Sequence, residues 1–167
     1  MKRLILIRHA KSSWSNGGLP DKDRPLNDRG REASAQMGKW LDRENLLPDE
    51  VLSSSATRCR QTWDGLANAA NLAVTPRFED RLYLAGPAEM LAILSTATGD
   101  TVLILGHMPG ISEFAGDLRR DPPPAHEMFQ KYPTGAATVL DFRTAHWREA
   151  QMGTGIFVSY MTPKELA

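Results

Sequence analysis

The chain has 167 residues, of which 41% are hydrophobic and 24% are charged, proportions typical of a globular protein. Its 20 Lys and Arg residues balance 20 Asp and Glu residues, so the net charge of zero favours neither nucleic acid nor an anionic membrane as a partner. Cys59 is the single cysteine, which excludes an intramolecular disulfide and fits a reducing compartment.

The first apolar run is too short for a targeting or membrane segment. Only four aliphatic residues precede Arg8, whereas a secretory signal needs an apolar core of about 7–15 residues. No run in the chain approaches the roughly 18 apolar residues of a membrane span. We therefore expect a soluble, cytoplasmic protein without a membrane or nucleic-acid partner, and the sequence does not fix its oligomeric state.

Short apolar runs alternate along the chain with segments of helical periodicity. Strands are predicted at residues 3–8, 50–53, 73–78, 101–106, 136–142, 146–150 and 155–160. Helices are predicted after the capping residue Asn27, after capping serines at 53–55, at 87–97 and after Pro109. Because most strands are uniformly apolar and helices separate them, we predict an α/β fold, a three-layer α/β/α sandwich whose mostly parallel sheet has an antiparallel edge. The length favours one domain over residues 1–167.

Three of the predicted strands end in residues that suit an anion. Arg8 and His9 follow the first strand, Arg58 lies in the first turn of the helix after the second strand, and His107 directly follows the strand TVLILG. In open α/β sheets ligands bind beyond the carboxyl ends of the strands, where helix N-termini add positive potential. Arginine forks match phosphate oxygens, so this edge is predicted to bind a phosphoryl group.

The two histidines suggest phosphoryl-transfer chemistry at that edge. Nearby guanidiniums would lower the pKa of His9 and so leave it a nucleophilic nitrogen near neutral pH. His107 could donate a hydrogen bond to phosphoryl oxygens as charge develops on them. Each residue alone also has an ordinary interpretation, since His107 could be a packed histidine and Arg58 a solvated helix residue. The prediction depends on the agreement of three strand ends.

Five segments carry a resemblance to a known family, and they occur in its order: RHAKSSW (8–14), DRPLNDRG (23–30), SSSATRCRQT (53–62), LGHMPGIS (105–112) and TGAATVLDF (134–142). Together they resemble the histidine phosphatase superfamily, which includes the phosphoglycerate mutases, and look most like its SixA-type phosphohistidine phosphatases. The resemblance implies a phosphoglycerate mutase-like fold and a two-step reaction, in which His9 accepts the phosphoryl group and water then removes it.

The resemblance also assigns roles to individual residues. Arg8, Arg58 and His107 would complete the phosphate pocket around His9, and no metal or other cofactor would be required. Ser15 stands where mutase-like members carry an Asn and is the expected further phosphate contact. Ala10 replaces the usual Gly after the histidine, and Lys11 replaces the Glu of mutase-like members, which argues against mutase chemistry.

The general acid has two candidates. SixA-like members offer an aspartate in the loop before RPL, which here is Asp21, whereas many other relatives use a glutamate that would correspond to Glu79. We favour Asp21, and it must hold a proton within reach of the leaving atom. Arg24 is interpreted either as positioning the loop beside the pocket or as a surface ion-pair partner of Asp23.

The leading hypothesis is a phosphatase that acts on phosphohistidine in a protein or on a small phosphate ester. The short chain leaves little material for a cap over the pocket, which mildly favours a phosphorylated protein as the substrate. A phosphate-binding module without catalysis is the alternative. A metallohydrolase using His9, His107 and an aspartate ranks last, because two arginines beside a divalent cation are electrostatically unfavourable.

Overall fold

The computed structural model describes residues 1–167, which form one six-stranded sheet with helices on both faces. The strands are β1 (Lys2–Arg8), β2 (Glu50–Ser54), β3 (Arg77–Glu79), β4 (Thr101–Gly106), β5 (Ala137–Phe142) and β6 (Ile156–Met161). The helices are α1 (Asp28–Arg43), α2 (Thr57–Ala70), α3 (Pro87–Leu94), α4 (Gly110–Leu118) and the single turn α5 (Pro163–Leu166).

The sheet has the strand order β3-β2-β4-β1-β5-β6. The pairs β1–β4, β2–β4 and β2–β3 are parallel, whereas β5 pairs antiparallel with both β1 and β6. This confirms the predicted α/β fold with a mostly parallel sheet and an antiparallel edge. Because β1, β2 and β4 run in the same direction, Arg8, Ser54 and Gly106 all end their strands at one edge of the sheet.

Strand β1 is buried on both faces, which explains its uninterrupted apolar run. Leu4 and Leu6 pack in the core that includes α3 and α4, while Ile5 and Ile7 pack in the core that includes α1 and α2. Successive side chains of a strand point to opposite faces, so one apolar run serves both cores. The two cores confirm the three-layer arrangement and place β1 in the interior of the sheet.

The cap of the first helix is as predicted, whereas the cap of the second is not. The Oδ1 atom of Asn27 accepts a hydrogen bond from the Gly30 amide at 2.8 Å and so caps α1. Helix α2 instead has Ala56 at its N-cap, whose side chain makes no capping hydrogen bond. The prediction that serines cap this helix was wrong, because the Ser54 hydroxyl lies against His107 at the strand edge.

Two of the predicted strands also need correction. Residues 147–149 form a short 3-10 turn, not a strand, and the Trp147 indole is buried and donates a hydrogen bond to the Gly99 carbonyl at 2.7 Å. The third strand is shorter than predicted, and it begins just after Pro76, which has no amide hydrogen to donate. None of the helices has both the length and the apolar character needed to traverse a lipid bilayer.

Candidate active site

Four of the predicted site residues come together beyond the strand edge. His9 and His107 are 7% and 2% exposed, and their ring centroids are 5.3 Å apart. Arg58 is 3% exposed, and one of its guanidinium nitrogens lies 3.3 Å from the His107 ring. Arg8 ends β1 immediately before His9. Residues more than 90 positions apart in the chain therefore form one cationic cluster.

His9 is held with one ring nitrogen free. Its Nδ1 lies 2.7 Å from the Ala10 carbonyl oxygen, which can only accept, so Nδ1 carries the hydrogen and Nε2 carries the lone pair. Burial is the main cause that lowers the pKa of His9 to about 4. The Ala10 bond opposes this effect, and the charges of Arg58, Arg8 and Arg24 add to it. The Nε2 lone pair is therefore available at neutral pH.

His107 has partners for both ring nitrogens. An Arg58 Nη2 donates to its Nδ1, which must therefore be unprotonated, and its Nε2 then donates to the Ser54 hydroxyl at 2.8 Å. Burial is the main cause that lowers the pKa of His107 to about 3, and His9 and Arg58 add to the effect. His107 is thus a neutral imidazole with a fixed tautomer.

The guanidinium groups retain unused donors. Arg8 donates from Nη1 to the Tyr132 carbonyl at 3.0 Å, but its Nε is buried without a hydrogen-bond partner. The Nε of Arg58 is also buried without a partner. Buried donors are normally paired, so two unpaired guanidinium nitrogens beside two neutral histidines suit an anion with several acceptor oxygens.

Thr62 joins the two halves of the site, and the sequence analysis did not single it out. Its hydroxyl accepts from the Ala10 amide at 3.0 Å and donates to the Arg58 carbonyl at 2.7 Å. Thr62 lies one helical turn after Arg58, so the spacing of the motif places it on the same face of α2. It connects the loop after His9 to the helix that carries Arg58.

Asp21 lies at the edge of the cluster, where it accepts three side-chain donors. Its Oδ2 accepts from Arg58 Nη2 at 3.0 Å and from the Tyr83 hydroxyl, and its Oδ1 accepts from Arg24 Nε at 3.1 Å. The Tyr83 hydrogen bond is the largest cause that holds the pKa of Asp21 far below its usual range, and Arg58 and Arg24 contribute. The structure places Asp21 beside the site as predicted. These donors favour its ionised form, and its role as general acid stays a prediction.

Glu79 does not join this group. Its carboxylate pairs with Arg77 Nε at 3.0 Å, and no hydrogen bond links it to the cluster. Ser15 is likewise outside the hydrogen-bonded group, because it is exposed and its hydroxyl lies 2.8 Å from that of Ser13. The expected contact of Ser15 with phosphate stays a prediction.

Arg24 adds a third guanidinium at the edge of the site. It is 7% exposed and donates from Nη1 to the Ser12 hydroxyl at 2.8 Å, and it pairs with Asp21, not with Asp23. The Trp14 indole, which is 77% exposed, covers it with the guanidinium carbon 3.5 Å from the ring centroid. This cation–π contact holds Arg24 between the site and solvent.

Comparisons with known proteins agree with this geometry. Residues 4–83 match the sequence model of the histidine phosphatase superfamily, branch 1. The chain is 34% identical to the uncharacterised protein Rv1276c of Mycobacterium tuberculosis over 165 residues. The match covers 95% of this chain and 100% of the relative.

Solved structures of SixA proteins are also similar to this chain. The protein of Nakamurella multipartitia assigned as a phosphohistidine phosphatase SixA superposes with a TM-score of 0.81 and 28% identity, over 97% of this chain and 96% of that one. The protein histidine phosphatase SixA complexed with tungstate shares the fold, with a TM-score of 0.78 and 22% identity over 99% of each chain. The chain therefore belongs to the histidine phosphatase superfamily, in which it is SixA-like. Membership in this superfamily supports a phosphatase activity.

Proposed function

We propose that the protein is a phosphatase that removes the phosphoryl group from a phosphohistidine residue of another protein, through a phosphohistidine intermediate on its own His9. The observation that carries the proposal is the His9 imidazole, whose Nδ1 is fixed by the Ala10 carbonyl and whose Nε2 lone pair lies among guanidinium groups. Residues 1–167 would act as a single domain.

The first step forms one bond and breaks another at phosphorus. The His9 Nε2 lone pair attacks the phosphorus atom, and the electron pair of the scissile bond leaves with the departing nitrogen or oxygen. Arg8, Arg58 and His107 stabilise the negative charge on the phosphoryl oxygens. In the second step water attacks the phosphorus, the bond to Nε2 breaks, and inorganic phosphate leaves with the His9 lone pair restored.

The ionised state of Asp21 favours a phosphohistidine over an ester as the substrate. An alkoxide leaving group needs a proton from the enzyme, and a carboxylate already ionised by Tyr83, Arg58 and Arg24 has none to give. A phosphohistidine ring can take its proton from water on the nitrogen that is not bonded to phosphorus, and it then leaves as neutral imidazole. The site therefore suits a phosphohistidine, because its imidazole leaving group needs no proton from the enzyme.

The edge of the site is open enough for a phosphoryl group borne by a protein. The Asp21 side chain is 45% exposed and Trp14 is 77% exposed, although His9 itself lies deeper. One SixA structure is assigned as a phosphohistidine phosphatase and the other is named a protein histidine phosphatase, which supports the same substrate class. A small phosphate ester is the second candidate, since an open site admits it equally well.

A trapping experiment tests the proposal. The protein is mixed with a 32P-labelled phosphohistidine carrier protein, quenched within milliseconds, and examined for acid-labile, alkali-stable label on His9. Label that appears and then decays with release of phosphate supports the mechanism. The variant His9→Asn should give no label, whereas His126→Asn, which replaces an imidazole outside the site, should behave like wild type.

The other outcomes discriminate between the alternatives. Label obtained only with a reactive aryl phosphate would replace the protein substrate with a small ester. No label with either donor would overturn the phosphatase proposal in favour of a phosphate-binding module. The metallohydrolase hypothesis has little structural support, because no group of three or more His, Cys, Asp or Glu side chains is arranged to hold a metal ion.

A further inference from the structure

Two short turns meet at the edge of the proposed site. The first is the 3-10 turn Asp21–Asp23 and the second is the 3-10 turn Asp80–Leu82, which Tyr83 directly follows. They are joined by the Tyr83 hydroxyl on Asp21 and by the ion pair of Lys22 with Asp80, at 2.9 Å. The consecutive residues Asp21 and Lys22 of the first turn therefore contact the second turn and the residue after it. We refer to these two contacts as the turn junction.

Tyr83 touches three groups of the site at once. Its hydroxyl donates to Asp21, the edge of its ring meets the His107 imidazole at 5.3 Å and 89°, and the Arg58 guanidinium carbon lies 5.9 Å from its ring centroid. The other two tyrosines have different roles, because the hydroxyls of Tyr132 and Tyr160 donate to backbone carbonyls.

The orientation of Arg58 depends on Asp21. Arg58 donates from Nη1 to the Asp21 carbonyl at 2.7 Å and from Nη2 to the Asp21 carboxylate at 3.0 Å. A carboxylate on an exposed turn would otherwise rotate in water, and rotation would release Nη2. The Tyr83 hydroxyl is a neutral donor on the same oxygen, so it fixes this carboxylate without adding a competing charge.

We propose that Tyr83 is a positioning residue for phosphoryl transfer, whose hydroxyl fixes the Asp21 carboxylate that orients Arg58 and whose ring supports His107. The proposal rests on the proposed function, because it assigns Arg58 and His107 to the phosphoryl group. It also explains why the turn junction lies at this edge of the sheet.

The variant Tyr83→Phe removes the hydroxyl and keeps the ring. We expect kcat to fall about tenfold with little change in KM, which corresponds to the loss of one hydrogen bond to a charged group. The thermal midpoint should stay near that of wild type, because the Tyr83 side chain is partly exposed. The matched control is Tyr160→Phe, which removes a tyrosine hydroxyl that lies on the outer strand β6 and donates to the Met128 carbonyl, and which should leave kcat unchanged.

A double-mutant cycle shows whether Tyr83 acts through Asp21. In an Asp21→Asn background, Tyr83→Phe should cause no further fall in kcat, because the carboxylate that it positions is gone. An equal fall in both backgrounds would overturn the proposal, since Tyr83 would then act on the substrate directly. Wild-type kcat for Tyr83→Phe would overturn it as well.

Vanadate binding separates this proposal from the proposed function. Vanadate can adopt the five-coordinate geometry of phosphoryl transfer, so its affinity reports the placement of Arg58 even without turnover. If the wild type hydrolyses neither phosphohistidine nor aryl phosphate, the proposed function fails. The Tyr83 proposal then predicts about tenfold weaker vanadate binding in Tyr83→Phe and no further change in the Asp21→Asn background, and equal affinity in both proteins would contradict it.

Discussion

Arg58 donates a hydrogen bond to the Nδ1 atom of His107 across 3.3 Å, which makes this nitrogen an acceptor. A phosphoryl oxygen at this nitrogen would need a donor in its place. We therefore expect His107 to gain a proton on Nδ1 when an anion binds, while Nε2 keeps its hydrogen and continues to donate it to the Ser54 hydroxyl. The expected bound form is an imidazolium whose charge faces the anion.

The first prediction concerns that proton. Inorganic phosphate should raise the pKa of His107 well above its value of about 3 in the free protein, because a doubly charged anion stabilises the cation. Nitrogen-15 NMR of histidine-labelled protein between pH 5 and 7 should show Nδ1 becoming protonated on addition of phosphate, with His107→Asn used to assign the signal. A His107 that stays neutral in the phosphate complex would contradict this expectation.

The second prediction concerns stability at mildly acidic pH. His9 and His107 have folded-state pKa values of about 4 and about 3, below the ordinary value of 6.5. Between pH 6.5 and these values the unfolded chain binds more protons than the folded one, so the free energy of unfolding falls as pH falls. Each histidine contributes about 1.4 kcal/mol per pH unit across this window.

Urea unfolding at several pH values between 4 and 7.5 measures this effect. The variant His107→Asn should show a flatter dependence than wild type, because one of the two histidines is gone. The comparison of variant with wild type cancels the carboxylates that titrate in the same range. Parallel curves for the two proteins would show that His107 is readily protonated in the folded state.

The third prediction separates a positioning carboxylate from a proton donor. Asp21→Asn should lower kcat/KM by a similar factor, about tenfold, for an activated and an unactivated aryl phosphate. An ionised carboxylate has no proton for either leaving group, so its loss does not depend on their basicity. A much larger fall for the unactivated ester would restore Asp21 as the general acid. Asp23→Asn, on the same turn, is the control and should be close to wild type.

The fourth prediction concerns Thr62, which bonds to both Ala10 and Arg58. Thr62→Val leaves the buried Ala10 amide without an acceptor, so we expect a loss of about 1–3 kcal/mol in the free energy of unfolding and a fall in kcat. Thr62→Ser keeps the hydroxyl and should retain most of both. If the two variants lose equal stability, the methyl packing of Thr62 matters more than its hydrogen bonds.

The strand-end residues could be predicted from the sequence because their positions depend only on where each strand ends and in which direction it runs. Arg8 and His107 each follow an apolar strand directly, and parallel strands bring such residues to one edge whatever the details of the helices. The same reasoning placed Arg58, because a helix that begins just after a strand has its first turn at that edge. The prediction needed only the direction of three strands.

Contacts between loops could not be predicted in this way. Tyr83 meets Asp21 only because two turns far apart in the chain fold against each other, and neither turn has a periodic pattern. Ser15 was chosen by its distance from His9 in a motif, but in the structure it is exposed and its hydroxyl bonds to that of Ser13. Ser54 was interpreted as a helix cap because it precedes a predicted helix. Its bond to His107 could not be predicted, because it forms only when β2 and β4 lie side by side.

The backbone around His9 has a consequence for how the site can change. The amides of Arg8 and His9 donate to Ala136 and Gly106 at 3.1 Å, so this segment is bonded to strands on both sides. Its amide hydrogens should exchange only when the sheet itself opens, whereas the turn junction, held by side chains at the surface, can open locally. Substitutions at Asp21 and Tyr83 can therefore change the placement of Arg58 while the nucleophile keeps its place. In this fold, the group that attacks phosphorus and the charge that assists it can evolve separately.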